Sequence, residues 1–198
     1  MIIYNFNLVM KNKGFGKSGN VFRGKVIDPI NQKQTIIVAI KELRKNFPKS
    51  KSQNQKILFE SADIFKLKHE NILEILWLCQ RTDNVILIIM EYAEGNCLSR
   101  FLSGLELPLP FEIFVSWSIQ LAKGMDYLHS NNIIHCDLKC KNVLLNKKPV
   151  EYLDMIKLKL KIANISNYSL TGTPTHMSPE TIKNKFTQKS DVIMIISL

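Results

Sequence analysis

The run Gly14-Phe15-Gly16-Lys17-Ser18-Gly19-Asn20-Val21 fits the pattern G-x-G-x-x-G-x-V. Glycines let a backbone turn tightly and bring its N–H groups close to phosphate oxygens, so the chemistry on offer is phosphate binding. Three glycines also make an ordinary turn, and the neighbouring elements must decide. A dinucleotide-binding crossover needs a strand, the loop and then a helix; here a β-rich run follows the loop, which excludes it. Gly16-Lys17-Ser18 mimics the end of a Walker A loop, but that motif needs glycine at position 11, where Lys11 stands. Cys136 and Cys140 lie close to His135 and suggest a metal site, yet no second ligand pair has zinc spacing, so zinc is not expected.

The elements around these residues change character along the chain. Val21–Ile27 and Thr35–Lys41 are β-rich and joined by the turn-forming Asp28-Pro29-Ile30-Asn31-Gln32, which predicts a hairpin. Gln55–Leu67 carries apolar residues at helical spacing. Strands are expected at Ile75–Cys79 and Val85–Met90, separated by the polar turn Gln80–Asn84. Phe111–His129 places Phe114, Val115, Ile119, Ala122, Met125 and Leu128 on a broad apolar stripe, which predicts a long, well-buried helix. Short strands follow at Val143–Leu145 and Lys157–Ile162, the second alternating strictly and so burying one face. The composition shift near Ala93–Cys97 is the expected boundary between two lobes.

The chain has 198 residues, 45% of them hydrophobic, enough to bury a sizeable core. Its formal charge of +10 comes largely from lysines in Lys41–Lys56 and Lys147–Lys161. Neither stretch interleaves aromatics or glycines as single-strand binders do, so a solvated basic face is expected and no specific nucleic acid. Met1–Met10 has no secretion signal, and the longest apolar runs are far too short to span a bilayer. A cytoplasmic protein with four free thiols and no membrane span is the expectation.

Val38-Ala39-Ile40-Lys41 lies on the strand after the glycine loop, and from here the sequence resembles the protein kinases over nearly its whole length. The resemblance continues through Ile88-Ile89-Met90-Glu91-Tyr92-Ala93-Glu94-Gly95, similar to the last small-lobe strand and hinge. His135-Cys136-Asp137-Leu138-Lys139-Cys140-Lys141-Asn142 resembles H-R-D-L-K-x-x-N. Met177-Ser178-Pro179-Glu180 resembles A-P-E, and Lys189-Ser190-Asp191-Val192 the start of the central helix. The implied fold is α+β and two-lobed. A complete small β-rich lobe would cover Met1–Ala93, and an incomplete helical lobe Glu94–Leu198.

The resemblance implies ATP and magnesium as cofactors. Gly14, Gly16 and Gly19 would cradle phosphates, and Lys41 would neutralise them with Glu60 as its partner. Met90 would be the gatekeeper, the backbone of Glu91–Ala93 would pair with adenine, and Val21, Ala39 and Leu144 would sandwich the base. Asp137 would orient the substrate hydroxyl and accept its proton, Lys139 would stabilise the moving phosphoryl group, and Asn142 would hold magnesium. Lys139 and Thr173 resemble the serine/threonine branch. The hinge, Phe22-Arg23-Gly24 and the extended segment Asn146–Lys157 resemble the mixed-lineage kinases, which act on MAP kinase kinases.

Three departures bear on activity. Where D-F-G is expected after Leu160-Lys161-Ile162-Ala163, the chain has Asn164-Ile165-Ser166. Asn164 keeps an oxygen ligand but loses the charge that holds a hard cation. Cys136 replaces the catalytic-loop arginine, and the loop between Ser166 and Gly172 is short, so control by loop phosphorylation is expected to be gone. The sequence ends at Leu198, inside the helix that begins near Asp191. Three readings stay open at this point: a serine/threonine kinase acting on a protein substrate, a pseudokinase serving as a scaffold, and a fragment without a stable fold.

Overall fold

A computed structural model of the chain describes residues 9–16, 19–27, 35–43, 64–80, 85–106, 108–149, 152–165 and 187–196. The chain divides into two units: Met1–Leu67 with Glu74–Tyr92, and Lys68–Leu73 with Ala93–Leu198.

The first unit holds five strands, β1 (Val9–Gly16), β2 (Gly19–Ile27), β3 (Thr35–Leu43), β4 (Ile75–Gln80) and β5 (Ile86–Glu91). They form one antiparallel sheet in the order β1-β2-β3-β5-β4. The two-residue side-chain period of a strand sorts each run onto two faces. Val26, Val38, Ile40, Leu87 and Ile89 fall on one face and are buried together with Cys79 and Val85. The register sets Lys41 opposite both Val21 and Ile88, and Ala39 opposite both Arg23 and Met90. Directly opposed residues share a face. Val21, Ala39, Lys41 and Met90 therefore stand together on the other side of the sheet.

In the second unit, α1 (Leu98–Leu102) precedes the long helix α2 (Phe111–Ser130). A 3-10 turn at Cys140–Asn142 leads into β6 (Val143–Leu145), which pairs antiparallel with β7 (Leu160–Ile162). The segment Lys68–Leu73 is stitched to β7 by Leu73 N–H to Ile162 O at 2.8 Å and Ile162 N–H to Asn71 O at 2.8 Å. Helix α3 (Tyr152–Lys157) lies between β6 and β7, and α4 (Gln188–Ile196) comes last.

Three expectations need correction. Helix α2 has the expected span, but the face that it buries is Ile113, Trp117, Leu121, Gly124, Met125 and Leu128. Phe114, Val115, Ile119 and Ala122, expected inside, are exposed. The helix is apolar on two faces, and packing against β7 and α3 selects the one with Trp117, whose Nε1–H donates to Met155 O at 3.3 Å. The strand expected at Lys157–Ile162 is shorter, because Lys157 ends α3. Its alternation survives: Leu158, Leu160 and Ile162 are buried while Lys159 is exposed. The helix near Asp191 begins three residues earlier, at Gln188. Of the expected helix Gln55–Leu67, only its end at Ile64–Leu67 lies among the described residues.

Gly95 shows how tightly the start of this unit is packed. Its N–H donates to Leu145 O at 3.0 Å, and a Cβ there would stand 2.1 Å from Lys147 O and 2.5 Å from Leu145 Cβ. Neither backbone nor a buried β-carbon can give way cheaply. Gly95→Ala is expected to cost about 2–3 kcal/mol, read as a lower urea midpoint with unchanged slope.

Candidate active site

The second unit builds a network around the catalytic-loop residues. Asp137 follows Cys136, whose backbone lies in the left-handed region at φ 66°. A non-glycine residue adopts that conformation at a cost, and something must hold it. Asp191 does so from α4. Its fully buried carboxylate accepts His135 N–H at 2.8 Å, Cys136 N–H at 2.9 Å and His129 Nε2–H at 3.0 Å.

His135 is buried and has both ring nitrogens engaged. Nδ1 accepts the Asp137 N–H at 3.2 Å and Nε2–H donates to Ala163 O at 3.0 Å, which defines the neutral tautomer. Burial holds its pKa below the ordinary histidine range, against the raising pull of Ala163 O and of Asp191 and Asp137. A lowered native pKa means that the unfolded chain takes up the proton first as pH falls. Stability from this group is therefore complete above about 6.5 and lost below it. The urea midpoint is expected to drop between about pH 7 and about pH 5, and the drop to be shallower in His135→Asn.

The reactive groups come next. Lys139 Nζ donates to Asp137 Oδ1 at 2.8 Å and to Oδ2 at 2.6 Å. Asn142, held on the 3-10 turn by its N–H to Lys139 O at 2.7 Å, donates Nδ2–H to Asp137 O at 2.6 Å and to Oδ2 at 3.0 Å. Because both partners of Nδ2 are acceptors, the Asn142 amide orientation is decided, and its Oδ1 faces Asn164. Asn164 Nδ2–H donates to that oxygen at 2.8 Å. Asn164 has φ 60°, a conformation that asparagine tolerates better than most residues. Ala163 N–H to Asn142 O at 2.8 Å pins the two segments together.

Magnesium needs hard oxygen donors and is held by carboxylates and phosphates. Here the Asn142 oxygen already accepts an amide N–H, Asn164 brings no charge, and the Asp137 carboxylate is paired with Lys139. Among the described residues no cluster of three His, Cys, Asp or Glu could hold a metal ion. This donor set does not suit magnesium.

In the first unit, Lys41 is half-buried, and burial pushes its pKa below the ordinary lysine range. Gly14 and Gly16 lie on β1 and Gly19 opens β2, with Gly16 opposite Gly19 across the hairpin. Glu91 N–H is occupied by Glu74 O at 3.0 Å, and Glu91 Oε1 accepts Glu74 N–H at 2.8 Å. The Glu91 N–H is thus not open to adenine, for which the resemblance implies pairing with the backbone of Glu91–Ala93. Arg23 sits over the Tyr92 ring at 5.3 Å from its centroid. Leu144, on β6 in the second unit, is half-buried. Glu60, Ser166, Thr173 and Met177–Glu180 lie outside the described residues.

Sequence reasoning missed the anchoring role of Asp191 and His129. The available signal was an aspartate at the head of an otherwise apolar run, Val192–Ile196, where a buried charge needs donors. The sequence reads Cys136 as a lost arginine and weighs it as a metal ligand beside Cys140 and His135. Burial, then the Asp191 and Asp137 charges, push its thiol up to about 12, so it remains protonated.

The chain belongs to the protein kinase family: residues 8–194 match the protein tyrosine and serine/threonine kinases. It is similar to human mitogen-activated protein kinase kinase kinase 11, at 35% identity over 193 residues, 90% of this chain and 22% of that protein. A mitogen-activated protein kinase kinase kinase of Drosophila melanogaster is 36% identical over 149 residues, 69% of this chain and 12% of the relative. Spermatocyte protein spe-8 of Caenorhabditis briggsae is 32% identical over 179 residues, 89% of this chain and 34% of the relative. The chain thus spans between 12% and 34% of the length of these relatives. The antiparallel sheet and the helices are those of an α+β kinase domain. No helix among the described residues is long and apolar enough to cross a membrane.

Proposed function

We propose that this chain is an ATP-binding protein kinase domain of the serine/threonine type whose phosphotransfer is disabled at the metal motif, leaving a nucleotide-holding signalling module. Residues 1–93 serve as the small lobe and 94–198 as part of the helical lobe. Gly14, Gly16, Gly19 and Lys41, with Glu60, take the phosphates. Val21, Ala39, Met90, Glu91, Ala93 and Leu144 take the base. The one-sided array of Val21, Ala39, Lys41 and Met90 on the sheet supports this half of the reading.

The observation that carries the other half is the Asn164–Asn142 amide pair. In phosphoryl transfer the metal neutralises developing charge, and the protein must hold that metal with anionic ligands. With two neutral amides the chain lacks that hold. A second reading, an active kinase, is favoured by one observation: Asp137, Lys139 and Asn142 remain bonded to one another at catalytic-loop spacing. The similarity to mitogen-activated protein kinase kinase kinases makes a MAP kinase kinase the protein partner to try first, as substrate or as bound client. Radiolabelled ATP and magnesium should give the wild-type chain no more transfer to such a protein than an Asp137→Ala variant gives. Substantial wild-type transfer that Asp137→Ala abolishes would establish the active kinase instead.

A further inference from the structure

We propose that the Asn164 side-chain amide stands where a divalent cation would be held, so that the chain takes its nucleotide as the metal-free anion. The inference deepens the nucleotide-binding reading and rests on it.

Asp137 carries one negative charge and Lys139 one positive, in bonds of 2.6 and 2.8 Å. Asn142 and Asn164 add none, so the four-residue network is neutral as it stands. An aspartate at position 164 would bring a second carboxylate beside the Asp137–Asn142 pair, and like charges that close require a cation between them. The asparagine removes the requirement and also supplies the hydrogen-bond donor.

Geometry closes the network further. Asn142 is 5% exposed, and both of its side-chain polar atoms are engaged, Nδ2 with Asp137 and Oδ1 with Asn164. For a cation to take the place of Asn164 on Asn142 Oδ1, the 2.8 Å bond between an exposed and a buried asparagine must break. What replaces it is coordination by neutral amide oxygens, a weak exchange for an ion that dehydrates reluctantly. The left-handed backbone at Asn164 directs its side chain at this partner and at little cost, since asparagine visits that region readily. Metal-dependent tightening of nucleotide is therefore absent from this chain and is restored by Asn164→Asp.

Two measurements on the 198-residue chain decide it. Calorimetric titration with ATP should give dissociation constants in EDTA and in magnesium that agree within about threefold, whereas Asn164→Asp should bind about tenfold tighter or more with magnesium than without. Wild-type binding that tightens about tenfold with magnesium overturns the proposal. No ATP binding in either buffer overturns the nucleotide reading, and with it metal-free binding. The amide closure is then judged separately by manganese alone, followed through its paramagnetic broadening of the Asn142 side-chain amide resonances, which wild type and Asn164→Asp both carry. Sharp wild-type signals beside broadened ones in Asn164→Asp support closure. Broadened wild-type signals overturn it.

Discussion

Asp191→Ala is expected to be the most destabilising single change in the second unit, costing roughly 3–6 kcal/mol. The carboxylate is fully buried and accepts two backbone N–H groups and one imidazole N–H. Alanine leaves His135 N–H and Cys136 N–H buried without acceptors, each at about 1–3 kcal/mol, and removes the support for Cys136's left-handed backbone. Total stabilities of domains run at about 5–15 kcal/mol, so this one change consumes a large share. Asp191→Asn retains one acceptor oxygen and should cost less. Urea unfolding of the three proteins checks both statements. A loss under about 1 kcal/mol for alanine would mean that the loop is held by something else.

Asn164→Asp is expected to have the largest effect on chemistry, raising phosphotransfer by roughly a hundredfold over the wild-type background. The estimate follows from the usual worth of one preorganised group that acts on developing charge. The gain should vanish on adding Asp137→Ala, because Asp137 alone offers a carboxylate to the attacking hydroxyl in the proposed mechanism. Cys136 and Ser166 remain as departures from the family pattern, so the variant should stay below an intact kinase. An Asn164→Asp chain with no more activity than wild type would place the defect elsewhere.

The sheet was legible in four of its five strands, whose β-rich runs stand out; β1 (Val9–Gly16) was not expected as a strand, because its glycines read as a phosphate loop. Val38 and Ile40 alternate with Ala39 and Lys41, and the side chains proposed for nucleotide follow from that alternation once the register is known. Helix α2 was legible in extent but not in orientation. Phe114 and Ile119 are as apolar as Ile113 and Leu121, and only the partner elements choose between the two faces. Helix α3 escaped notice because Tyr152–Lys157 is a short stretch with no cap signal, and tertiary bonds such as Gln120 Nε2–H to Leu158 O secure the segment around it. At the candidate site, the types and spacing of Asp137, Lys139 and Asn142 were on the surface of the sequence. The bond from Asn164 to Asn142 spans 22 residues, and the anchor from Asp191 to His135 spans 56, so neither is written in any local pattern.

The central claim, that this kinase-family chain holds nucleotide through Lys41 and its sheet face, is tested most directly by thermal melting with ATP. At about a hundred times its dissociation constant, a ligand of the folded state stabilises by about 2.7 kcal/mol. For a chain of this size that is about 5–10 °C. The account predicts a rise of that order for wild type with ATP in EDTA and a much smaller one for Lys41→Ala at the same concentration. A wild-type midpoint that ignores ATP, or one that Lys41→Ala matches, would contradict it.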